Sequence, residues 1–334
     1  MSRRQGAARA MLRKVVKSAG WGLTLLAFYY VFQVFCRNAD ALARHAWGAW
    51  DAAAVLAAAL VVGGAYFVLA VSWARMAPRH EERRLFWTVV AAYSITSIFK
   101  YLPGNCFHYV GRNVMGSQGE GEQVGLASAT LFEVVLSGLC SVFVASLCAL
   151  LPGANAGPAW RYALLLAAVL LGMAVLLRLS GMKARPGRGR LVSLALRLAE
   201  VPPGIAAPLG LTLLAYGLMA GAAVGVWNAF SAVPVAWPQI ASAYVFSWLV
   251  GYVVPGAPGG LGVREAYLVL TLSPYATEPA AVLFALVMRV VVTLADLVLL
   301  AAGKVIQGRF PRRAAPLLQE ARVRCGTGQE GGGV

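Results

Sequence analysis

The chain has 334 residues, of which 60% are hydrophobic and only 13% are charged. A soluble domain carries about 25% charged residues, so the composition excludes an ordinary soluble protein and predicts an all-α, polytopic membrane protein. The formal net charge is +16. The basic residues form clusters between apolar segments, which is typical of membrane loops and not of nucleic-acid binding. Nucleic acid is therefore not an expected partner.

Apolar segments of membrane-spanning length alternate with polar loops along the chain. A basic N-terminus at residues 1–17 precedes the run Ala19–Phe35, whose length and aromatic content favour a retained first helix over a cleaved signal peptide. The further apolar runs are predicted as helices: 52–71, 85–102, 124–151, 162–177, 205–230, 240–254, 263–272 and 280–302. The basic tail, residues 304–334, is expected to be disordered and cytoplasmic.

The distribution of basic residues predicts which runs cross the membrane. Residues 178–200 contain a basic cluster and should face the cytoplasm. This placement requires the 85–102 run to enter from the cytoplasm and return, and 240–272 to form a second re-entrant hairpin from the outside. The prediction is a membrane domain at residues 18–303 with about six full spans plus two re-entrant hairpins, and with both termini in the cytoplasm.

The two predicted hairpins share a pattern of helix breakers followed by an arginine. The first contains Pro103-Gly104 and then Gly111-Arg112, and the second contains Pro255-Gly256 and then Gly262-Val-Arg264. The separation from proline to arginine is the same in both. Broken helices related by an inverted repeat place a binding site near the middle of the bilayer, and the sequence predicts such a site here.

The candidate binding residues are the ionisable and polar groups at predicted membrane depth. They are Lys100, Asn105, His108, Arg112, Glu133, Arg264, Glu265, Arg289 and Asp296. Each costs a few kcal/mol to bury in lipid, so each must face protein or water. Arg112 and Arg264 are predicted to bind phosphate through their forked guanidinium groups, with neighbouring glycines allowing the backbone to approach the headgroup. Glu133 and Glu265 would orient these arginines or bind a cationic moiety.

Simpler roles are open for the remaining polar and aromatic residues. Arg289 and Asp296 lie two turns apart, and pairing with other helices is an equally good interpretation for them. His108 is interpreted as a packed polar group. Glu133 needs a basic partner, and Arg112 or Arg264 is expected to supply it. Tryptophans near the ends of the runs are interpreted as interfacial anchors: Trp47, Trp50, Trp73, Trp87, Trp160 and Trp237.

The sequence carries no pattern for metal binding or for a known class of catalysis. The five cysteines and three histidines lack metal-ligand spacing, so neither a metal nor a cofactor is predicted, and the cysteines are expected to be unpaired. Nucleophile-elbow, phosphate-loop, zinc-protease and dinucleotide motifs do not occur. Enzymatic activity is therefore not expected.

The breaker segments resemble motifs of a known family. Pro255-Gly-Ala-Pro-Gly-Gly-Leu-Gly-Val-Arg264-Glu265 resembles the hallmark of the lysylphosphatidylglycerol synthase transmembrane family, a flippase-like domain also found as stand-alone bacterial and archaeal proteins. Lys100-Tyr-Leu-Pro-Gly104, with Gly111-Arg112, is similar to its first motif, although Phe107-His108 replaces the commoner glutamate. Glu133 and Arg289 resemble its later charged positions. The resemblance covers residues 20–310 or so and implies movement of a lipid between the leaflets of a bacterial inner membrane.

The expected function is binding and translocation of an anionic lipid, either an aminoacylated phospholipid or a polyprenyl-linked glycan. An envelope-lipid biosynthetic enzyme is a further expected partner. Because the chain ends after a short tail, the synthase activity of two-domain relatives is not expected. Two alternatives stay open: a membrane-embedded glycosyl or acyl transferase with Glu265 or Glu133 as base, and a non-catalytic partner of a cell-envelope glycosyltransferase.

Overall fold

A computed structural model describes most of the chain between residues 48 and 310. The described ranges are 48–78, 82–101, 107–117, 120–153, 163–170, 205–254 and 258–310, with Tyr29, Phe32, Gln33, Cys36 and Gly172 in addition. Within them the chain forms helices and no strands, which confirms the predicted all-α class. The predicted N-terminus at 1–17, the basic loop at 178–200, the tail beyond 310 and Asn105 lie outside the described residues.

Eight helices with defined bounds occur in the described residues. In chain order they are α1 (Ala49–Met76), α2 (Arg83–Thr96), α3 (Phe107–Gly116), α4 (Glu120–Leu150), α5 (Ala206–Phe230), α6 (Trp237–Val253), α7 (Val263–Leu272) and α8 (Glu278–Arg309). Four of them, α1, α4, α5 and α8, are long and apolar enough to span a bilayer. At 1.5 Å per residue, each exceeds the roughly 30 Å thickness of the hydrocarbon core.

The four long helices correspond to four of the predicted full spans. The predicted spans at 19–35 and 162–177 lie mainly outside the described residues, although residues 163–170 are helical. The last helix is longer than predicted, because α8 continues to Arg309 instead of ending near residue 302. The following Phe310 stacks on Trp87 with ring centroids 6.2 Å apart, so the beginning of the predicted tail packs against the protein.

The other four helices are short and form two helix–break–helix units. In the first, α2 continues into a 3₁₀ turn at Ser97–Tyr101, and α3 follows after residues 102–106. In the second, α6 and α7 flank the turn Pro258–Gly260. Each of these helices has 17 residues or fewer, which is shorter than a bilayer-spanning helix. The described helices therefore end before and begin after each predicted break, while Pro103-Gly104 and Pro255-Gly256 themselves lie outside the described residues.

Glycine determines the shape of the second break. Gly259, Gly260 and Gly262 have φ angles of 59°, 71° and 79°, a region that residues with a Cβ atom rarely adopt. α7 begins directly after Gly262. The glycine-rich sequence thus allows the chain to reverse within a few residues, and it places Arg264 and Glu265 in the first turn of α7.

Small residues and hydroxyl groups bring the long helices close together. Ser72 of α1 lies 3.0 Å from both the carbonyl oxygen of Pro208 and the hydroxyl of Thr212, near the start of α5. A Cβ atom on Gly303 of α8 would lie only 2.7 Å from Ser94 of α2, so these helices touch at the glycine. Close approach at small residues and hydrogen bonding by hydroxyls are typical of helix packing in lipid.

The outward faces of the long helices are apolar. Leu60, Leu131, Leu214 and Leu297 lie on four different helices and are each at least half exposed. Large apolar side chains spread over the outer surface favour contact with lipid over contact with water. Together with the four helices of spanning length, this surface indicates a membrane protein.

Candidate functional site

The two breaks lie against each other and against α8. A Cβ atom on Gly259 would approach the ring of Tyr101 to 3.2 Å, so the tyrosine packs directly on this glycine. Arg289 of α8 donates a hydrogen bond from Nη1 to the Gly259 carbonyl over 3.4 Å. Its guanidinium also lies 5.5 Å from the centre of the Tyr101 ring. The structure therefore brings the two predicted breaker segments to one place.

A cavity of about 100 Å³ lies beside the contacting breaks. Its ionisable lining residues are Lys100, His108, Arg112, Glu133 and Arg264. All five were predicted from the sequence as binding residues, so the fold gathers most of the predicted set around one space. Its aromatic lining residues are Tyr66, Tyr93, Tyr109, Tyr216, Trp248 and Tyr252.

Arg112 is buried and has a carboxylate partner. Its Nη2 lies 2.5 Å from Oε2 of Glu133 on α4, as expected for the basic partner that Glu133 needs. The hydroxyl of Tyr93 donates to the other Glu133 oxygen over 3.0 Å, and the guanidinium lies 4.6 Å from the centre of the Trp73 ring. The charge of Arg112 is therefore compensated within the protein, and its predicted role in binding phosphate stays a prediction.

The Trp73 ring packs against the guanidinium of Arg112. The prediction that Trp73 is an interfacial anchor is wrong. Its side chain is fully buried, and its indole N–H donates to the Thr130 hydroxyl over 3.2 Å. Thr130 in turn donates to the side-chain oxygen of Asn113 over 2.8 Å. The reason is that α1 extends to Met76, past the predicted end of the span, which carries Trp73 into the core.

Two further ion pairs connect α8 to the breaks. Nζ of Lys100 lies 2.7 Å from Oδ1 of Asp296, and the hydroxyl of Tyr101 donates to the other Asp296 oxygen over 2.5 Å. Nη1 of Arg289 lies 3.5 Å from Oε1 of Glu265. Asp296 and Arg289 therefore pair with other helices, in agreement with the simpler interpretation. Each pair joins α8 to a different break.

Arg264 differs from the other cations of the site because no carboxylate neutralises it within the described part of the chain. Its side chain is buried, with 7% of the residue exposed, and its guanidinium lies 3.9 Å from the centre of the Trp248 ring. The buried carboxylates of the described residues are occupied by other cations, namely Glu133 by Arg112, Glu265 by Arg289 and Asp296 by Lys100. The site consequently carries one uncompensated positive charge at Arg264.

Two glycines make room for the Arg264 side chain. A Cβ atom on Gly251 would lie 2.5 Å from Cγ of Arg264, and one on Gly260 would lie 2.6 Å from its Cδ. Both distances are too short for carbon atoms in contact. The glycines beside Arg264 therefore accommodate the arginine's own aliphatic stem, and the predicted approach of backbone to a headgroup stays a prediction.

The sequence analysis missed the aromatic residues that surround the charges. Trp248 and Tyr252 line the cavity from α6, and Tyr244 lies one turn earlier on the same helix. Their spacing of four residues places all three on one helix face, a signal that was available in the sequence. Tyr66 and Tyr93 come from α1 and α2 as single residues, and only the fold brings them to the cavity.

Together these features define a helical membrane protein that encloses a charged cavity beside two contacting helix breaks. No protein-family model matches the chain, and no curated protein matches its sequence. The relationship to the lysylphosphatidylglycerol synthase transmembrane family therefore stays a prediction from the two motifs.

Proposed function

We propose that the protein binds the headgroup of an anionic lipid in this cavity and moves the lipid between leaflets. The observation that carries the proposal is the buried guanidinium of Arg264, which has no carboxylate partner among the described residues. A buried charge without a counterion costs several kcal/mol. A phosphate group in the cavity would offset this cost through a bidentate, charge-assisted hydrogen bond.

The short helices support a re-entrant arrangement for the two helix–break–helix units. α3 and α7 have 10 residues each, so at about 1.5 Å per residue each reaches only part of the way across a bilayer. Irregular backbone at membrane depth is tolerated where protein or a water-filled cavity surrounds it. We infer that the two units enter from opposite faces, within a topology of about six full spans, and meet at the cavity.

The geometry supports a division of labour among the charged residues. Arg264 would bind the phosphate. Gly251 and Gly260 pack against the aliphatic part of its side chain and so fix the orientation of the guanidinium. Arg112 would support the cavity wall through its pairing with Glu133. The ion pairs of α8 would hold the breaks together, and opening of the Lys100–Asp296 or Glu265–Arg289 pair would release one break at a time. The acyl chains would stay in the surrounding lipid.

The pairing of both candidate bases weighs against the transferase alternative. Glu133 is held by Arg112, and Glu265 lies beside Arg289. A general base must be free to accept a proton from a substrate group within hydrogen-bond reach. Both Glu133 oxygens are hydrogen-bonded, whereas Glu265 has Arg289 beside one oxygen and no hydrogen-bond partner for Oε2 among the described residues. Lipid binding by Arg264 requires no change in either pair.

Lipid transfer tests the proposal directly. The full chain is reconstituted into vesicles that contain phosphatidylglycerol carrying a fluorescent acyl chain. Transfer is followed by the fraction of fluorophore that a membrane-impermeant quencher reaches over time. We expect the protein to accelerate transfer and Arg264→Gln to remove the acceleration. Arg309→Gln is the matched control, because it removes an exposed arginine at the end of α8.

The expected result is transfer by the unchanged chain and by the Arg309→Gln variant, at similar rates. Vesicles with a correctly folded chain that show no more transfer than empty vesicles would contradict the transport proposal. Equal transfer by the Arg264→Gln variant would contradict the assignment of Arg264 as the phosphate ligand.

A further inference from the structure

We propose that the lipid headgroup is a phosphodiester with a single negative charge that carries a small polyhydroxyl group, such as glycerol or one sugar. This inference deepens the proposed function and rests on it. Two independent features of the cavity support it: the balance of buried charges, and the polar atoms that lack hydrogen-bond partners.

The balance of charges favours a headgroup with a net charge of −1. The cations of the site are the buried Arg112 and Arg264 and the half-buried Lys100 and Arg289. The buried carboxylates Glu133, Glu265 and Asp296 pair with Arg112, Arg289 and Lys100. The described site therefore has one cation more than it has carboxylates. A phosphodiester would neutralise this excess, whereas a phosphomonoester or a pyrophosphate would add a second negative charge without a partner.

The number of cations and carboxylates in the site also disfavours a cationic headgroup. An aminoacylated lipid brings an ammonium group, and a buried ammonium needs a carboxylate or several acceptors. Each buried carboxylate within the described ranges already contacts an arginine or a lysine. Binding such a lipid would require breaking one of these pairs and exposing a guanidinium or ammonium group in its place.

The unpartnered polar atoms favour hydroxyl groups on the ligand. Four residues that line the cavity have a buried polar atom without a hydrogen-bond partner among the described residues: the hydroxyl of Tyr66, Nδ1 of His108, Nε of Arg112 and the indole N–H of Trp248. A buried polar group without a partner is costly and needs an explanation. The indole can only donate, and the tyrosine can donate or accept.

Hydroxyl groups match this set better than the polar groups of other headgroups do. A hydroxyl can accept from the indole N–H and can donate to a free nitrogen or oxygen, whereas an ammonium can only donate. The cavity of about 100 Å³ is also smaller than pockets of 300–1,000 Å³ that enclose drug-sized ligands. It therefore suits one small polyol and not a long glycan.

Binding of matched lipids to the purified full chain tests the inference. Native mass spectrometry compares phosphatidylglycerol, phosphatidylmethanol, phosphatidic acid and lysylphosphatidylglycerol, all with the same acyl chains. Phosphatidylmethanol is the decisive control, because it keeps the singly charged phosphodiester and lacks the hydroxyls. We expect phosphatidylglycerol to bind about tenfold more tightly than each of the others, as two or three added hydrogen bonds would give.

A pair of variants separates the two parts of the inference. Tyr66→Phe keeps the ring that packs near Lys100 and removes the unpartnered hydroxyl. It should reduce the preference for phosphatidylglycerol over phosphatidylmethanol about fivefold and leave the binding of phosphatidylmethanol unchanged. Arg264→Gln should weaken the binding of both lipids together. A polyprenyl phosphodiester of one sugar, added as a fifth lipid, distinguishes a polyprenyl from a diacyl carrier, and preferential binding of either carrier supports the inference.

Other outcomes would overturn it in distinguishable ways. Equal binding of phosphatidylglycerol and phosphatidylmethanol would contradict the proposed polyol headgroup and leave the proposed function intact. Tightest binding of lysylphosphatidylglycerol or phosphatidic acid would overturn the charge assignment and also leave lipid transport in place. If none of the lipids binds and none is transferred, the inference and the proposed function both fail.

Discussion

Arg112 and Arg264 follow similar breaker sequences at the same distance from a proline, yet their surroundings differ. Arg112 lies in the middle of α3, where α4 supplies Glu133 and α1 supplies Trp73. Arg264 lies in the first turn of α7, where α6 supplies the ring of Trp248 and no carboxylate. One arginine is therefore neutralised within the protein, and the other has no carboxylate partner among the described residues. The comparison shows that similar motifs can place an arginine in different charge environments, because the facing helices supply the partner.

The largest expected effect is the loss of stability when the Arg112 pair is broken. Arg112→Gln leaves Glu133 buried and unpaired, which should lower the free energy of unfolding by about 3–5 kcal/mol. Unfolding of the detergent-solubilised variants measures this effect. The double variant Arg112→Gln/Glu133→Gln should recover much of the loss, since it leaves no uncompensated charge. Losses that simply add in the double variant would show that the two residues do not interact.

Unlike Arg112→Gln, the Arg264→Gln substitution should not lower the free energy of unfolding. It removes a buried charge that lacks a counterion among the described residues, so the free energy of unfolding should stay the same or rise. The same unfolding experiment without added lipid compares it with Arg112→Gln. A loss as large as that of Arg112→Gln would mean that Arg264 has an internal partner, and the comparison between the two arginines would then fail.

The Lys100–Asp296 pair, which joins the first break to α8, should contribute less to the free energy of unfolding than the Arg112–Glu133 pair does. Asp296→Asn leaves Lys100 with a weaker partner, but Lys100 is partly accessible, with 14% of its side chain exposed. We expect a loss of about 2 kcal/mol, below the range for fully buried pairs. A double-mutant cycle with Lys100→Met measures the coupling. A coupling near zero would show that this contact does not hold the break against α8.

Substitution of Gly251, which lies against the Arg264 stem, should affect binding more than stability. Gly251→Ala places a Cβ atom where the Arg264 stem lies, so the arginine must move, and binding of an anionic lipid should weaken about tenfold. Gly217→Ala on α5 is the control, because nothing lies within 4 Å of its added Cβ atom. That variant should bind normally and gain about 0.5–1 kcal/mol in unfolding free energy from the helical preference of alanine.

The smallest expected effect concerns the polar support of Trp73. Thr130→Val removes the hydroxyl that accepts from the Trp73 indole and donates to Asn113. We expect a loss of about 1–3 kcal/mol in unfolding free energy, toward the lower end, because only the indole N–H loses its partner in the core and Asn113, which also loses one, is half-buried. The position of Arg112 should be retained, so lipid binding should stay unchanged. Loss of binding at unchanged stability would contradict this supporting role.

The helices and breaks could be predicted from local sequence, whereas the partners of the charged residues could not. Apolar runs of sufficient length identify α1, α4, α5 and α8, and the Pro-Gly segments identify both breaks, because these are properties of neighbouring residues. The choice of Glu133 as the partner of Arg112 depends on how α3 and α4 pack. The burial of Trp73 likewise depends on which helices cover the end of α1. Cavity residues such as Tyr66 come from distant positions, and no local pattern connects them.

Equilibrium binding of phosphatidylglycerol by the purified chain, compared between Arg264→Gln and the double variant Arg112→Gln/Glu133→Gln, tests the central claim most directly. The account predicts that Arg264→Gln weakens binding at least about tenfold and that the folded double variant stays within about threefold of the unchanged protein. Normal binding by Arg264→Gln, or loss of binding only in the double variant, would contradict the claim that Arg264 is the phosphate-binding cation.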